Sequence, residues 1–203
     1  RREKWYFKKG EVIYKEGQTP KGLICLNQGN VKLVKKALKG QEFIHRLHKP
    51  VNYLGFDDLM AQTKFSSTAI ALTDVAICII KKANLYQIIN NNSTLSLNII
   101  KDLALKSIQD KERILNLTQT QLIARIAFAI NELINFYGFK PDNKTIAITL
   151  KRKEIGAIAN IDTSNVIRLI SRLKKEKIIA TNKRELIILD KTRLIGLIPN
   201  LHQ

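Results

Sequence analysis

Residues 152–173 read RKEIGAIANIDTSNVIRLISRL, and the spacing of their small and apolar positions decides the fold. In a helix-turn-helix, two helices cross closely around a tight turn, so certain positions must be small, apolar or conformationally permissive. Counting from Arg152, the fifth position is Gly156, which lets a second helix approach. The ninth is Asn160, one of the few non-glycine residues that enter left-handed backbone cheaply. The fifteenth and eighteenth are Val166 and Leu169, apolar knobs for the first helix, backed by Ile155, Ile158 and Leu173. The other side of the second helix carries Thr163, Ser164, Asn165, Arg168 and Arg172. Small hydroxyls, an amide and two guanidinium groups on one solvent face suit the reading of a polar, anionic partner.

Working outward, the pattern predicts helices over Lys151–Ala159 and Thr163–Lys175, then a hairpin of Ile178–Thr181 and Leu186–Leu189 tipped by Asn182-Lys183-Arg184-Glu185. A short strand over Thr145–Leu150 is expected before them, after a polar linker at residues 139–144. Helix, helix and basic-tipped hairpin in this order make a winged helix-turn-helix. An ordinary helical hairpin with a basic surface is the alternative, and the placement of charge argues against it. Between Lys151 and Arg193 there are 12 basic and 5 acidic residues, and the basic ones collect at Lys151–Lys153, along the second helix and at the hairpin tip. Those are the places where such a domain meets a duplex. Phosphate contacts fix register, while side chains near the start of the second helix reach base edges.

The first part of the chain has a different period. Short apolar stretches at Val12–Tyr14, Leu23–Leu26, Val31–Val34, Phe43–Leu47, Thr68–Leu72 and Val75–Ile80 alternate with turns such as Asn27-Gln28-Gly29-Asn30 and Lys39-Gly40-Gln41. Many short strands punctuated by glycine indicate a jelly roll or small barrel, with one helical turn over Phe56–Ala61. A short helix capped by Asn84 follows, then a long one from Thr94 to about Leu117 with Ser93 as its cap. Its apolar stripe, including Leu97, Ile100, Ala104, Ile108 and Leu115, is wide for a solvent-facing helix. It fits a dimer helix or a helix tucked between two domains; we favour the dimer. Another helix spans about Gln119–Phe136, with Gly138 offering a left-handed cap.

The formal charge of +18 favours a polyanionic partner, nucleic acid or an anionic membrane surface. It is spread evenly, so charge alone sets a partner class and no mechanism. Apolar runs such as Val75–Ile80 and Leu194–Pro199 fall far short of the roughly 20 residues that span a bilayer. Cys25 and Cys78 lie in apolar strand-like runs, either as a buried pair or, as a reducing cytoplasm favours, as structural thiols. They are too few for the four thiolates of an iron–sulfur cluster, and His45, His48 and His202 show no ligand spacing. No metal site is expected. No glycine-rich phosphate loop, metal pair or Ser/His/Asp arrangement supports an enzyme. The first residue is Arg rather than Met, which we read as a missing start.

These features resemble the cyclic-AMP receptor protein/FNR family of bacterial transcription regulators along nearly the whole chain. Phe7–Gly17 is similar to the family's opening hairpin, and Leu26-Asn27-Gln28-Gly29-Asn30-Val31-Lys32 to its "I-x-x-G-x-V-K" turn. Leu54-Gly55, Ala71-Leu72-Thr73-Asp74, Ala124-Arg125-Ile126-Ala127 and Arg152-Lys153-Glu154-Ile155-Gly156 match further motifs. The resemblance implies an α+β chain: a jelly-roll, cyclic-nucleotide-binding-like β-roll over residues 1–92, a dimerisation helix over 93–118, and a winged helix-turn-helix over 119–203. It implies a cytoplasmic homodimer that reads a palindrome in double-stranded DNA with the helix over 163–175, touches RNA polymerase if it activates, and has no membrane role. The expected DNA contacts are Lys151, Arg152, Thr163, Ser164, Asn165, Ile167, Arg168, Arg172, Lys183 and Arg184.

Two departures qualify the resemblance. In the recognition pattern "R/V-E-T-V-x-R", Arg168 matches the terminal Arg, suited to guanine O6 and N7, but Ser164 replaces the Glu. Ile167 offers an apolar surface for a thymine methyl, so an AT-leaning palindrome with a fixed guanine is expected. Nucleotide binders in the family resemble "G-E-x-x…R-S-A", whereas here Phe56 follows Gly55 and Ser66-Ser67-Thr68 takes the second half. The carboxylate for the ribose and the guanidinium for the cyclic phosphate are both missing. The effector is left unknown, and a DNA binder without an effector, architectural or weakly specific, is the alternative function. Isothermal titration of the protein with cyclic AMP is expected to give no binding in the micromolar range.

Overall fold

A computed structural model describes residues 3–36 and 42–199 and divides the chain into two compact units near residue 104. In the first unit, eight strands form two four-stranded antiparallel sheets. One has the order β1 (Glu3–Phe7), β8 (Val75–Lys81), β3 (Gly22–Gln28), β6 (Asn52–Leu54). The other has the order β2 (Val12–Tyr14), β7 (Thr68–Ala71), β4 (Val31–Lys36), β5 (Glu42–His48). Alternation explains the layering, because successive side chains on a strand face opposite sides. Ile24 and Leu26 of β3, with Val75 and Ile77 of β8, enter the core between the sheets, where they meet Tyr14, Val31, Leu33, Ala69 and Ala71. Leu23 points the other way, onto Phe56 and Leu59 of α1 (Phe56–Met60) and Leu85 of α2 (Lys82–Asn90).

The same alternation decides the cysteines. Cys25 and Cys78 are register partners across β3 and β8, and Cys78 is buried. Cys25 packs on the outer cluster of Leu23, Phe56, Leu59 and Leu85.

Strands β1 and β6 were not anticipated as separate strands, because three to five residues with no clean alternation give little signal. The turn expected at Lys39-Gly40-Gln41 lies outside the described residues, as does His202. Helix α2 begins at Lys82 with no side-chain cap bond, so Asn84 lies inside it. The long helix α3 spans Ser93–Gln119, and its first turn is capped by Asn92, whose side-chain oxygen accepts from the Leu95 amide at 2.9 Å. Asn92 therefore does the work expected of Ser93. At 27 residues α3 is about 40 Å long.

The second unit holds α4 (Leu122–Tyr137), α5 (Arg152–Ala159), α6 (Thr163–Lys175), the hairpin β9 (Ile179–Asn182) and β10 (Glu185–Ile188), and α7 (Lys191–Gly196). Helix α4 starts later than the apolar pattern suggests, because Gln121 is extended (φ −67°, ψ 156°) where the chain leaves α3. Its core face is broad: Ile126, Ala127, Ala129 and Ile130 are fully covered. Gly138 ends it with φ 70° and ψ −161°, positive φ but not the left-handed helical cap, a region open in practice to glycine alone. Helix α7 was not anticipated; Asp190 caps it by accepting from the Arg193 amide at 2.9 Å.

Thr145–Leu150 is not a strand. Residues 144–146 instead lie beside the hairpin, with the Ile146 amide on the Leu186 carbonyl (3.0 Å) and the Ile188 amide on the Lys144 carbonyl (2.9 Å). Asp142 fixes this segment by accepting from the Thr145 hydroxyl and from the amides of Thr145 (2.8 Å) and Lys144 (3.0 Å). The Thr145 hydroxyl and those amides lower its pKa from the usual 3.8 to about 2. A depressed carboxylate stabilises the fold above its unfolded pKa and loses that contribution as pH falls through the folded value. The stability gap between the wild type and Asp142→Ala, followed by urea unfolding, is therefore expected to be open near pH 6 and to close between about pH 4 and about pH 2.

Candidate nucleic-acid interface

The interface is built from the turn between α5 and α6. Gly156 is buried there, and a Cβ on it would stand 2.5 Å from the Ile161 carbonyl oxygen and 3.1 Å from Val166 Cγ2. Only a hydrogen lets the two helices meet at this distance. Asn160 takes the left-handed turn, with φ 53° and ψ 49°, and the Gly156 carbonyl accepts from the Ile161 amide at 2.9 Å. Ile155, Ile158, Val166, Leu169 and Leu173 are all buried, as the spacing requires.

The last carbonyls of a helix lack partners within it. Here two arginines supply them. Arg113 of α3 donates to the Ile158 carbonyl (3.1 Å) and also to Glu132 of α4 (2.8 Å). Arg125 of α4 donates to the carbonyls of Ala159 (3.2 Å) and Asn160. The Arg113 side chain is only 14% exposed, so its bond to Glu132 is a sheltered one. Arg113 escaped the sequence reading altogether, and Arg125 entered it only as part of a motif. Neither has a local signal, since their partners lie 45 and 35 positions away.

On α6, Thr163, Ser164, Ile167, Arg168 and Arg172 are exposed, while Asn165 is half-buried. Ile167 is 53% exposed despite being apolar, whereas its neighbour Val166 is fully buried. Asp162 is the N-cap and accepts from the Asn165 amide at 2.9 Å. It also accepts from the Ser164 hydroxyl at 2.5 Å and from the Asn165 side-chain amide. Those bonds, the Ser164 hydroxyl foremost, hold its carboxyl well below the usual carboxylate range. Arg168 in turn donates to the Asn165 side-chain oxygen at 2.7 Å. Asp162 lies between the two expected helices, and an Asp just before a helix is a cap signal available in the sequence.

The remaining predicted residues lie at the start of α5 and on the wing. Lys151 precedes α5, its amide held by the Glu154 carboxylate at 2.9 Å, and its side chain is exposed. Arg152 is half-buried, and burial lowers its pKa. Arg172 is tied to Glu176 one turn on at 2.7 Å, which offsets part of its charge. Lys183 and Arg184 are exposed at the two-residue tip between β9 and β10, tighter than the four-residue tip expected. In the first unit, the ring of Phe65 lies against Gly55 and stacks on Tyr14 at a centroid distance of 3.7 Å, with Ser67 buried close by in sequence. Among the described residues, no three His, Cys, Asp or Glu side chains cluster as metal donors, and no helix is long and apolar enough to cross a membrane.

A β-roll, a long helix and a winged helix-turn-helix with a basic exposed face make the architecture of a DNA-binding transcription regulator. Family models agree: residues 4–92 match the cyclic nucleotide-binding domain and residues 124–197 the Crp-like helix-turn-helix domain. The chain belongs to the cyclic-AMP receptor protein/FNR family. It is 28% identical over 183 residues to electron transport regulator A of Shewanella oneidensis, covering 90% of this chain and 73% of that one. It is 24% identical to the fumarate and nitrate reduction regulatory protein of Vibrio cholerae, covering 93% and 76%. Among solved structures, FixK2 from Bradyrhizobium japonicum superposes with a TM-score of 0.86 over 98% of each chain at 18% identity, a likeness of fold.

Gly156→Val tests the turn. Helix propensity is no gain here, since the new methyls meet a backbone carbonyl that cannot rotate away. The expected cost is about 1–3 kcal/mol in urea unfolding, with DNA binding weakened in proportion to the unfolded fraction.

Proposed function

We propose that this regulator is a cytoplasmic homodimer that reads a palindromic operator through α6, under a signal other than cyclic AMP. The observation that carries the reading is the division of α6 into two faces. Val166, Leu169, Ile170 and Leu173 are buried, and the opposite face presents Thr163, Ser164, Ile167, Arg168 and Arg172 to solvent. No packing requirement explains exposed Ile167 and two arginines on one stripe; a major groove does, with guanine for Arg168 and a thymine methyl for Ile167. Asn165 extends the same stripe, and Lys151, Arg152, Lys183 and Arg184 supply phosphate contacts that set register.

Dimerisation is supported by α3. Leu97, Ile100, Ile108 and Ile114 are each more than half exposed on it, an apolar stripe that a second copy would cover. Two-fold symmetry of the protein then requires a two-fold repeat in the operator. This reading divides the chain into a roll over 1–92, a dimer helix over 93–118 and a DNA-binding region over 119–203. Contact with RNA polymerase belongs to this reading if the protein activates. Against cyclic AMP stand the missing carboxylate and guanidinium, and the aromatic stack of Phe65 on Tyr14 beside Gly55.

Selection of binding sites from random duplexes tests the reading, with sedimentation of the same samples. The wild type is expected to enrich a palindrome and to sediment as a dimer. Arg168→Ala is expected to lose about 1–3 kcal/mol of preference for one guanine per half-site while remaining dimeric. Diffuse enrichment by the wild type would instead favour an architectural binder, as would an Arg168→Ala profile identical to it.

A further inference from the structure

We infer that Asp162, at the N-cap of α6, sets base preference without touching a base: it fixes the proton of Ser164 and, through Asn165, the aim of Arg168. The inference rests on the DNA reading proposed above and concerns how that face discriminates.

The family pattern that this helix resembles has a glutamate at the place of Ser164, and a free serine hydroxyl discriminates poorly because it both donates and accepts. In this structure its single proton is committed, donated to the Asp162 carboxylate at 2.5 Å. A carboxylate that accepts this many hydrogen bonds stays ionised, so it cannot return a proton to the hydroxyl. What Ser164 has left for a groove is acceptor lone pairs. It is therefore an acceptor, as the glutamate would be, but a short and neutral one. Base edges that donate in the major groove are the amino groups of cytosine N4 and adenine N6, so those bases are selected over thymine and guanine at the position Ser164 meets.

Asn165 extends the logic to Arg168. A carboxylate only accepts and a guanidinium only donates, so an amide placed between them has one satisfied orientation. Its nitrogen faces Asp162 and its oxygen faces Arg168, as found, with the Arg168 bond at 2.7 Å. One N–H of Arg168 is spent on this tether, and the others remain for guanine O6 and N7. Tethering a long side chain before binding removes rotamer entropy that a free arginine loses in the complex. The arrangement also places an anion at the reading end of the helix, where it repels phosphate and weakens contacts that carry no sequence information. Asp162 and Asn165 are positioning residues in this scheme, and Ser164 and Arg168 the readers.

The test is binding-site selection with the full chain, comparing wild type, Ser164→Ala and Asp162→Thr. Threonine keeps an N-cap oxygen for the Asn165 amide but has no carboxylate for the two side chains. Ser164→Ala, an exposed change, identifies the position read by the hydroxyl. At that position the wild type is expected to favour cytosine or adenine about fivefold, and both variants to lose that preference. Asp162→Thr is also expected to weaken the guanine preference set by Arg168 severalfold and to raise affinity for random duplex. A role in capping alone would lower affinity evenly and leave every base preference intact. The inference is overturned if Ser164→Ala changes no position, if the changed position favours thymine or guanine, or if Asp162→Thr keeps both preferences. A wild type that enriches no palindrome would instead strike the proposed function itself.

Discussion

The contact between Gly156 and the Ile161 carbonyl is the constraint on which the reading end of this molecule depends. With no Cβ in the way, the turn can close within a few residues, and Asn160 in left-handed backbone turns it. Closure packs α6 against α5 with Val166, Leu169 and Leu173 buried, and burying them fixes which face of α6 remains outside. The polar stripe is thus a consequence of packing as much as of its own composition. Were the helices a few ångströms apart, the same residues would lie on a helix with no defined outward direction.

Around that contact, backbone groups left over at the end of α5 are satisfied from a distance. Arg113 and Arg125 bring guanidinium donors from α3 and α4 to three successive carbonyls, Ile158, Ala159 and Asn160. Buried polar groups without partners cost free energy comparable to a lost hydrogen bond, so these donors stabilise the turn in the shape that α6 needs. They also make the turn a meeting point of α3, α4 and α5. Asp162 acts on the other side of the turn, where its carboxylate gathers Ser164 and Asn165 before α6 begins.

Most of the architecture was legible in the chain, and the misses share a cause. The bounds of α6 follow from an unbroken helical period with strong polar and apolar contrast. Six strands of the roll are visible as apolar runs between turns. Strands β1 and β6 and helix α7 are short, and a short element is held by its neighbours rather than by its own period. Thr145–Leu150 failed the other way: it has the composition of a strand, yet Asp142 and the wing hold only its first residues alongside β10. Gly138 signalled a helix end correctly, but not which of the positive-φ conformations it would take.

By itself the sequence determined the periods: alternation in the roll, helical spacing in α3 to α6, glycine and asparagine where the turn closes. These depend on neighbours a few positions apart, and local sterics suffice to specify them. The tertiary structure alone decided which charged and polar groups meet across long separations. Cys25 faces Cys78, and Arg113 reaches Ile158, because folding brings together groups that no spacing rule connects. The tertiary fold also determines what the polar face of α6 meets. The resemblance to the family's recognition pattern sets Ser164 at the position of a glutamate. Its bond to Asp162, in the cap that the closed turn presents, commits the hydroxyl to accepting.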